Sequence, residues 1–174
     1  LAPDGMVMVE AHHPARYGHY EGHKELFLKA LSGKGQRGVA RSDMGLGVEV
    51  FLPVFNRNTV IGVLEVSRLF SLDFLEKIKA KYGLELMLYD QEKLKATTFT
   101  DSEVLGSKSL DDLRVEAWQT RSSVTSEIRL GNSSYFVTCK PIQSVAGNVL
   151  GILIMAVSHD RMYELIQSMT FVVG

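Results

Sequence analysis

The side chains of this sequence that could do chemistry are concentrated in one short stretch, EAHHPARYGHYEGH, at residues 10 to 23. Imidazole groups can bind a metal ion, transfer a proton or hydrogen-bond a ligand. Four of the five histidines in the chain lie here, namely His12, His13, His19 and His23. The stretch is therefore a metal site, a catalytic centre, a ligand-binding loop or a polar loop, and the rest of the chain has to distinguish these.

A zinc site is the first possibility. His19 and His23 are four residues apart, so they would share one face of a helix, with Glu21 between them. Zinc needs about three or four such ligands in a tetrahedral array. Gly18 and Gly22 disfavour an uninterrupted helix here, and no cysteine is nearby. We therefore interpret the loop histidines as solvated polar groups, with a metal-binding module that uses the His-rich loop as the alternative.

A carboxylate-binding loop is the second possibility. The Arg16 guanidinium presents parallel N–H donors that match a carboxylate. Tyr17 and Tyr20 could supply an aromatic wall and a hydroxyl group. Neutral His12 can both donate and accept a hydrogen bond, so it either contacts a ligand or fixes the loop. These residue types would suit a small anionic group.

Catalysis finds little support elsewhere in the chain. The segment GKGQRG, at residues 33 to 38, matches the spacing of a dinucleotide-binding loop. That motif needs a strand before it and a helix after it, whereas here a helix is predicted before and a strand after. No set of nucleophile, base and orienting group is evident. We expect neither an enzyme nor a bound cofactor or resident metal.

The composition fits a soluble globular chain of one large domain or two small ones. The 174 residues are 45% hydrophobic and 22% charged, with a net charge of −1. No basic run is present to follow a phosphate backbone, so we expect no nucleic-acid partner. The one cysteine, Cys139, cannot form an internal disulfide. No apolar run approaches the roughly 20 residues of a membrane span.

The chain repeats itself. The segment PVFNRNTVIGVLEVSRLFSLDFLEKIK, at 53–79, parallels PIQSVAGNVLGILIMAVSHDRMYELIQ, at 141–167, in the order strand, turn, strand and helix. We predict an α+β fold of two modules, 1–83 and 84–174, each an antiparallel sheet flanked by helices. The second module has a strand at 84–89 that the first lacks, so we expect the first module to be truncated at its N-terminus.

Strand periodicity predicts which residues share a face. A short strand is expected at 6–10, a helix at 22–33, and three strands between residues 38 and 67. Along the second of these three strands, Leu46, Val48, Val50 and Leu52 alternate with Gly47, Glu49 and Phe51. We predict that the first set forms the core. Glu65 alternates with apolar residues on the next strand, and the face that carries Glu49, Phe51 and Glu65 is predicted to meet either solvent or a ligand.

Several of these motifs resemble the double-Cache, PAS-like sensory domains of bacterial chemoreceptors and sensor kinases. Asp4-Gly5 precedes a short strand, then His12-x-Pro14 and Tyr17-Gly18 follow. The helix ends in Ala30-Leu-x-Gly33, and Pro53-Val54 leads to Ile61-Gly62-Val63. Related citrate-sensing domains hold carboxylates with a His and an Arg in the places of His12 and Arg16. The sequence departs from the family pattern at Glu49, Phe51 and His19, which favours a ligand that carries both signs of charge.

The resemblance implies an extracytoplasmic sensor within an inner-membrane protein. It places a ligand-binding, membrane-distal module at 1–83 and a membrane-proximal module at 84–174. The parent would be a homodimeric methyl-accepting chemotaxis protein, with a histidine kinase or diguanylate cyclase receptor as the alternative. The ligand would be a small organic acid or amino acid, with its carboxylate on Arg16 and an amine on Glu49. The predicted ligand-binding residues are His12, Arg16, Tyr17, Tyr20, Arg41, Glu49, Phe51 and Glu65.

Overall fold

The computed structural model describes residues 1–170 except His12, His23, Asp43, 101–103, Leu105 and 131–132, and for 165–170 it describes the backbone. The helices are α1 (Glu25–Ala30), α2 (Leu72–Tyr82), α3 (Lys108–Thr120) and α4 (His159–Thr170). The strands are β1 (Gln36–Ser42), β2 (Gly45–Asn56), β3 (Thr59–Leu69), β4 (Glu85–Asp90), β5 (Lys93–Thr97), β6 (Val124–Leu130), β7 (Ser133–Gln143) and β8 (Val149–Ser158). The α+β class with antiparallel sheets is as predicted.

The chain forms two compact units. The first comprises Leu1–Ser42 and Gly47–Leu69, and the second comprises Asp43–Leu46 and Phe70–Gly174. The sequence placed the division after residue 83, whereas the structure groups α2 with the second unit. Within this unit, Lys79 of α2 pairs with Glu85 at the start of β4 at 2.9 Å.

In the first unit, a three-stranded antiparallel sheet in the order β1-β2-β3 packs against α1. Its core consists of Phe51 and Val63 from the sheet with Leu26, Phe27 and Ala30 from α1. The predicted assignment of the β2 faces was wrong in part. Leu46 is buried, but Val48 and Val50 are half-buried and Leu52 is 44% exposed, because α1 covers the face of Phe51 rather than that of Leu52.

The segment before α1 is less regular than predicted. The strand expected at residues 6–10 is reduced to one bridge, in which Met6 pairs with Tyr20. Val7 N–H donates to the His19 carbonyl at 2.9 Å, and Gly18 N–H donates to the Val7 carbonyl at 2.8 Å. The stretch that carries the histidines is therefore a loop that closes back on residues 5–7 before the chain enters α1.

In the second unit, the five-stranded sheet has the order β5-β4-β8-β7-β6, so β8 is central. One face packs on α3 through a cluster that includes Leu110 and Ala117 from the helix. The sheet contributes fully buried side chains to it, namely Met87, Val137, Cys139, Ile152 and Ile154. This unit therefore has a complete two-layer core.

Helix α2 is joined to the second sheet by polar contacts, since Lys79 Nζ donates to the Thr98 carbonyl at 3.1 Å. Ser71 caps its N-terminus by accepting from Phe74 N–H at 3.3 Å, and Gly83 ends it with a left-handed φ of 68°. Thr98, only 2% exposed, accepts from Leu86 N–H at 2.9 Å and donates to Glu85 at 2.6 Å. Because both bonds are internal, Thr98 holds the beginning of β4 in a fixed position.

The sequence repeat has a counterpart in strand register. Pro53 pairs with Val63 in the β2–β3 hairpin, and Pro141 pairs with Ile152 in the β7–β8 hairpin. One residue further along, each hairpin has a register shift, after Val54 in the first and after Ile142 in the second. The repeated sequences therefore fold as equivalent hairpins.

The last helix follows the central strand directly. β8 ends at Ser158 and α4 begins at His159. The His159 imidazole stacks on Phe136 of β7, with ring centroids 4.6 Å apart, and its Nε2 lies 3.1 Å from Glu127 of β6. The first turn of α4 thus lies on the sheet. Within the described part of the chain, no helix is both long and apolar enough to cross a bilayer.

Candidate functional site

The candidate site lies on the α1-facing side of the first sheet. Phe51 of β2 stands directly opposite Glu65 of β3 in the register, and Glu49 lies two residues earlier on the same face of β2. Phe51 is fully buried and Glu49 is 4% exposed. The side chain of Glu65 is 22% exposed. The sheet therefore brings two carboxylates and an aromatic ring to one largely buried surface.

A lysine from outside the sheet completes this group. Lys24, the residue before α1, places Nζ 2.8 Å from Glu65, 3.6 Å from Glu49 and 3.4 Å from Glu21. The same ammonium lies 5.7 Å from the centre of the Phe51 ring. We name Lys24, Glu21, Glu49, Glu65 and Phe51 the acidic cluster. It gathers three carboxylates around one ammonium group.

Burial and charge act in opposition on these groups. Burial raises the pKa of the Glu49 carboxyl above its ordinary value, the Lys24 charge lowers it, and the charges of Glu65 and Glu21 raise it again. For Lys24, burial favours the neutral amine, but the hydrogen bond to Glu65 and the surrounding carboxylates together raise its pKa. Lys24 is thus held as a cation, while the charge of Glu49 is only partly compensated.

The loop at residues 5–22 leads into Lys24, and its residue Glu21 belongs to the acidic cluster. Glu21 N–H donates to the Gly5 carbonyl at 2.9 Å, and Lys24 N–H donates to the Glu21 carbonyl at 3.2 Å. Gly5 has a φ of 88°, and a Cβ on Gly22 would lie 2.6 Å from the Tyr20 ring. The two glycines allow the loop and the Tyr20 ring to pack closely just before Lys24.

The other predicted ligand-binding residues lie on more exposed surface. The Arg16 side chain is half exposed, with Nε 3.7 Å from Glu10. Tyr17 is 70% and Tyr20 is 58% exposed, and Arg41 is an exposed residue of β1. His12 lies outside the described residues. The structure thus groups Glu49, Phe51 and Glu65, while the contribution of the loop residues and Arg41 stays a prediction.

The sequence interpretation missed Lys24, which lies one residue beyond the histidine-rich stretch. A signal for it was available. Two carboxylates predicted on one partly buried sheet face require a cation nearby, since burying uncompensated charge is costly. Lys24 immediately precedes the helix that covers this face of the sheet, which made it a candidate for that cation.

The described residues contain no group of three His, Cys, Asp or Glu side chains that could hold a metal ion. They therefore add no support to the alternative of a metal-binding module. Of the loop histidines, His12 and His23 lie outside them. His19 places Nε2 3.7 Å from Glu21. This contact links His19 to the edge of the acidic cluster.

With this fold and site, the chain matches the family described as "Double sensory domain of two-component sensor kinase" over residues 1–162. It belongs to this double-Cache family of sensory domains. The sequence-based identification is therefore confirmed. No curated protein matches the chain.

The solved structures that match this chain include sensory and receptor domains. The sensory domain of the Campylobacter jejuni chemoreceptor Tlp3 is 18% identical, with a TM-score of 0.47 over 91% of this chain and 65% of that one. An extracellular ligand-binding receptor from Desulfohalobium retbaense is 14% identical, with a TM-score of 0.48 over 90% and 29%. The Pseudomonas aeruginosa amino acid chemoreceptor PctB, solved with L-Arg, is 16% identical, with a TM-score of 0.37 over 83% and 63%. The chain thus spans less than two thirds of the length of each.

Proposed function

We propose that this chain is the extracytoplasmic ligand-binding domain of a transmembrane chemoreceptor, and that its first unit binds a small molecule bearing an amine, such as an amino acid. One observation carries the proposal. Glu49, Glu65 and Phe51 form a largely buried, charged and aromatic surface that Lys24 and Glu21 adjoin. Small-molecule sites commonly combine apolar walls with a few convergent polar groups.

The two charged ends of an amino acid would use different parts of the unit. The carboxylates of Glu49 and Glu65 suit an ammonium group, and the buried Phe51 ring supports a cation above it. Arg16 is the candidate for the carboxylate end, with His12, Tyr17 and Tyr20 as neighbours in sequence and Arg41 at the rim. An organic acid without an amine would leave the two glutamates without a ligand partner.

The parent protein is proposed to be a homodimeric methyl-accepting chemotaxis protein of the inner membrane. A histidine kinase receptor is the second candidate, and the description of the matched family favours it directly. The two differ in output. Ligand added to cells should change receptor methylation in the first case and autophosphorylation of the parent protein in the second.

A thermal-shift screen of this chain tests the ligand-binding role. A ligand that binds only the folded state raises the melting temperature by mass action. We expect amine-bearing amino acids to do so, with calorimetry giving one site per chain. If zinc alone raises the melting temperature, the metal-binding alternative replaces the proposal. If a reaction product forms from any tested compound, the sensory role is wrong.

A further inference from the structure

The acidic cluster contains more negative than positive charge. Glu21, Glu49 and Glu65 surround the single Lys24 ammonium at 3.4, 3.6 and 2.8 Å. Lys24 is closest to Glu65, with which it forms a hydrogen bond. The carboxylate of Glu49 is the more deeply buried and the more distant of the two sheet residues. A second cation would therefore be attracted more strongly to the Glu49 carboxylate than to an exposed carboxylate, because the surroundings of Glu49 are less polar.

The position of Lys24 allows its side chain to move without unfolding the helix. Lys24 is the N-cap residue of α1, with an extended backbone at φ −66° and ψ 124°, and its side chain makes no capping hydrogen bond. Its backbone N–H is fixed by the Glu21 carbonyl. The ammonium stands on a flexible four-carbon chain. Removing it from the two glutamates therefore requires only rotations of the side chain.

A ligand ammonium has the same chemistry as the Lys24 side chain. Each presents N–H donors and one positive charge to carboxylates. The Phe51 ring, 5.7 Å from Lys24 Nζ, would support either cation. An anionic ligand group at the same place would meet the charges of Glu49 and Glu65 and be repelled.

We infer that Lys24 is an internal competitor for the amine subsite of this sensor, occupying Glu49 and Glu65 in the empty state and leaving them to a primary ammonium of the ligand. The inference rests on the proposed function and adds regulation to it. Lys24 lowers the affinity for amines, and it pairs with Glu65 and partly compensates the charge of the buried Glu49 when no ligand is present. Ligand binding then changes the contacts of Lys24, the residue that precedes α1.

The test compares Lys24→Met with a matched control on the same helix. Lys29 pairs with Glu25 at 2.6 Å on the exposed side of α1, so Lys29→Met removes an equivalent charge away from the cluster. Binding is measured by calorimetry with three probes, namely L-alanine, 1,4-diaminobutane and succinate. We expect Lys24→Met to bind one or both amine probes at least about tenfold more tightly than the natural sequence. Lys29→Met should match the natural sequence, and Glu49→Gln should lose amine binding.

Loss of Lys24 leaves buried carboxylates without their cation, so the single variant is expected to be less stable. The double variant Lys24→Met with Glu65→Gln removes the closest pair together and keeps Glu49. It should bind amines more tightly than Glu65→Gln alone. Circular dichroism on each variant confirms that binding is measured on folded protein.

The alternative outcomes separate the inference from the proposed function. If succinate binds the natural sequence and is lost in Lys24→Met, Lys24 contacts the ligand's anionic end; the domain still senses a ligand, but the inference is overturned. Unchanged or weaker amine binding in Lys24→Met and in the double variant overturns it as well. If no amino acid, amine or organic acid binds any form, the proposed function and the inference both fail.

Discussion

Gly151 of β8 lies directly against the backbone carbonyl of Tyr89 in β4, and a Cβ atom at residue 151 would collide with that oxygen. Tyr89 pairs with the next residue of β8, Ile152. The first unit repeats this relationship. Gly62 of β3 lies against the carbonyl of Leu1, which pairs with Val63, and a Cβ there would be 2.9 Å from the oxygen. Both glycines of the sequence repeat thus permit a close approach of neighbouring backbone.

Gly151→Ala is expected to destabilise the second unit. The obstructing atom is backbone within a central strand pair, so β4 and β8 would have to separate, at a cost of about 1–3 kcal/mol in the free energy of unfolding. Gly106→Ala is the matched control, because a Cβ there meets open space. Denaturant unfolding followed by circular dichroism measures both. Equal stability of the two variants would show that the close approach is not restrictive.

Thr98→Val is expected to weaken the attachment of α2. The change removes the acceptor for the buried Leu86 N–H and the donor to Glu85, which in turn pairs with Lys79 of α2. Leaving such groups unsatisfied costs about 1–3 kcal/mol. Thr125→Val, which removes an exposed hydroxyl contact with Thr138 at 3.0 Å, is the control and should change stability far less. A similar effect of both variants on thermal unfolding would contradict the role assigned to Thr98.

Glu49→Gln should change how stability depends on pH. The pKa of the folded Glu49 carboxyl is raised above its ordinary value of 4.5, chiefly by burial, so the folded state binds this proton more tightly than the unfolded state. The natural protein therefore gains stability relative to Glu49→Gln as pH falls from the raised pKa towards 4.5. Below that value the difference should be constant. A natural protein that loses stability relative to Glu49→Gln on acidification would show the opposite sign of shift.

Arg16→Ala is expected to separate binding from stability. The Arg16 side chain is half exposed and 3.7 Å from Glu10, and such pairs contribute about 0–1 kcal/mol. The melting temperature of the empty protein should barely change. Loss of a hydrogen bond to a charged ligand group costs about 1.5–3 kcal/mol, at least about tenfold in affinity. Arg129→Ala, on the exposed surface of β6, is the control. Undiminished affinity for the ligand found in the screen would remove Arg16 from the site.

Cys139 should serve as a probe of opening in the second unit. It is the only cysteine, it is fully buried, and burial raises the pKa of its thiol to about 11. Because the thiolate is the reactive form, a disulfide reagent at pH 8 should label the native protein slowly. Labelling should accelerate in denaturant and in Gly151→Ala. A native labelling rate equal to that of the unfolded chain would mean that the core around β7 is open.

The sequence predicted the strands of the first sheet and the repeat, because both follow from side-chain patterns that are local in the chain. The alternation of side chains predicted β2 and β3. This alternation could not show which face of β2 is buried, because both faces carry apolar side chains. The buried face depends on where α1 packs. The two-residue period of the strands predicted that Glu49 and Glu65 share a face. It did not predict the position of Lys24, because the hydrogen bond from Lys24 to Glu65 joins residues that are 41 apart in sequence.

A strand and a helix that are joined without a loop have no intervening residues that could change the angle between them. Ser158 ends β8 and His159 begins α4, so the direction of the helix is determined by the last residues of the central strand. Slipping β8 by one residue would turn every side chain of the strand to the other face. It would also withdraw His159 from Phe136 and Glu127. The sheet and the start of α4 are therefore coupled, and the register of β8 determines the direction of α4.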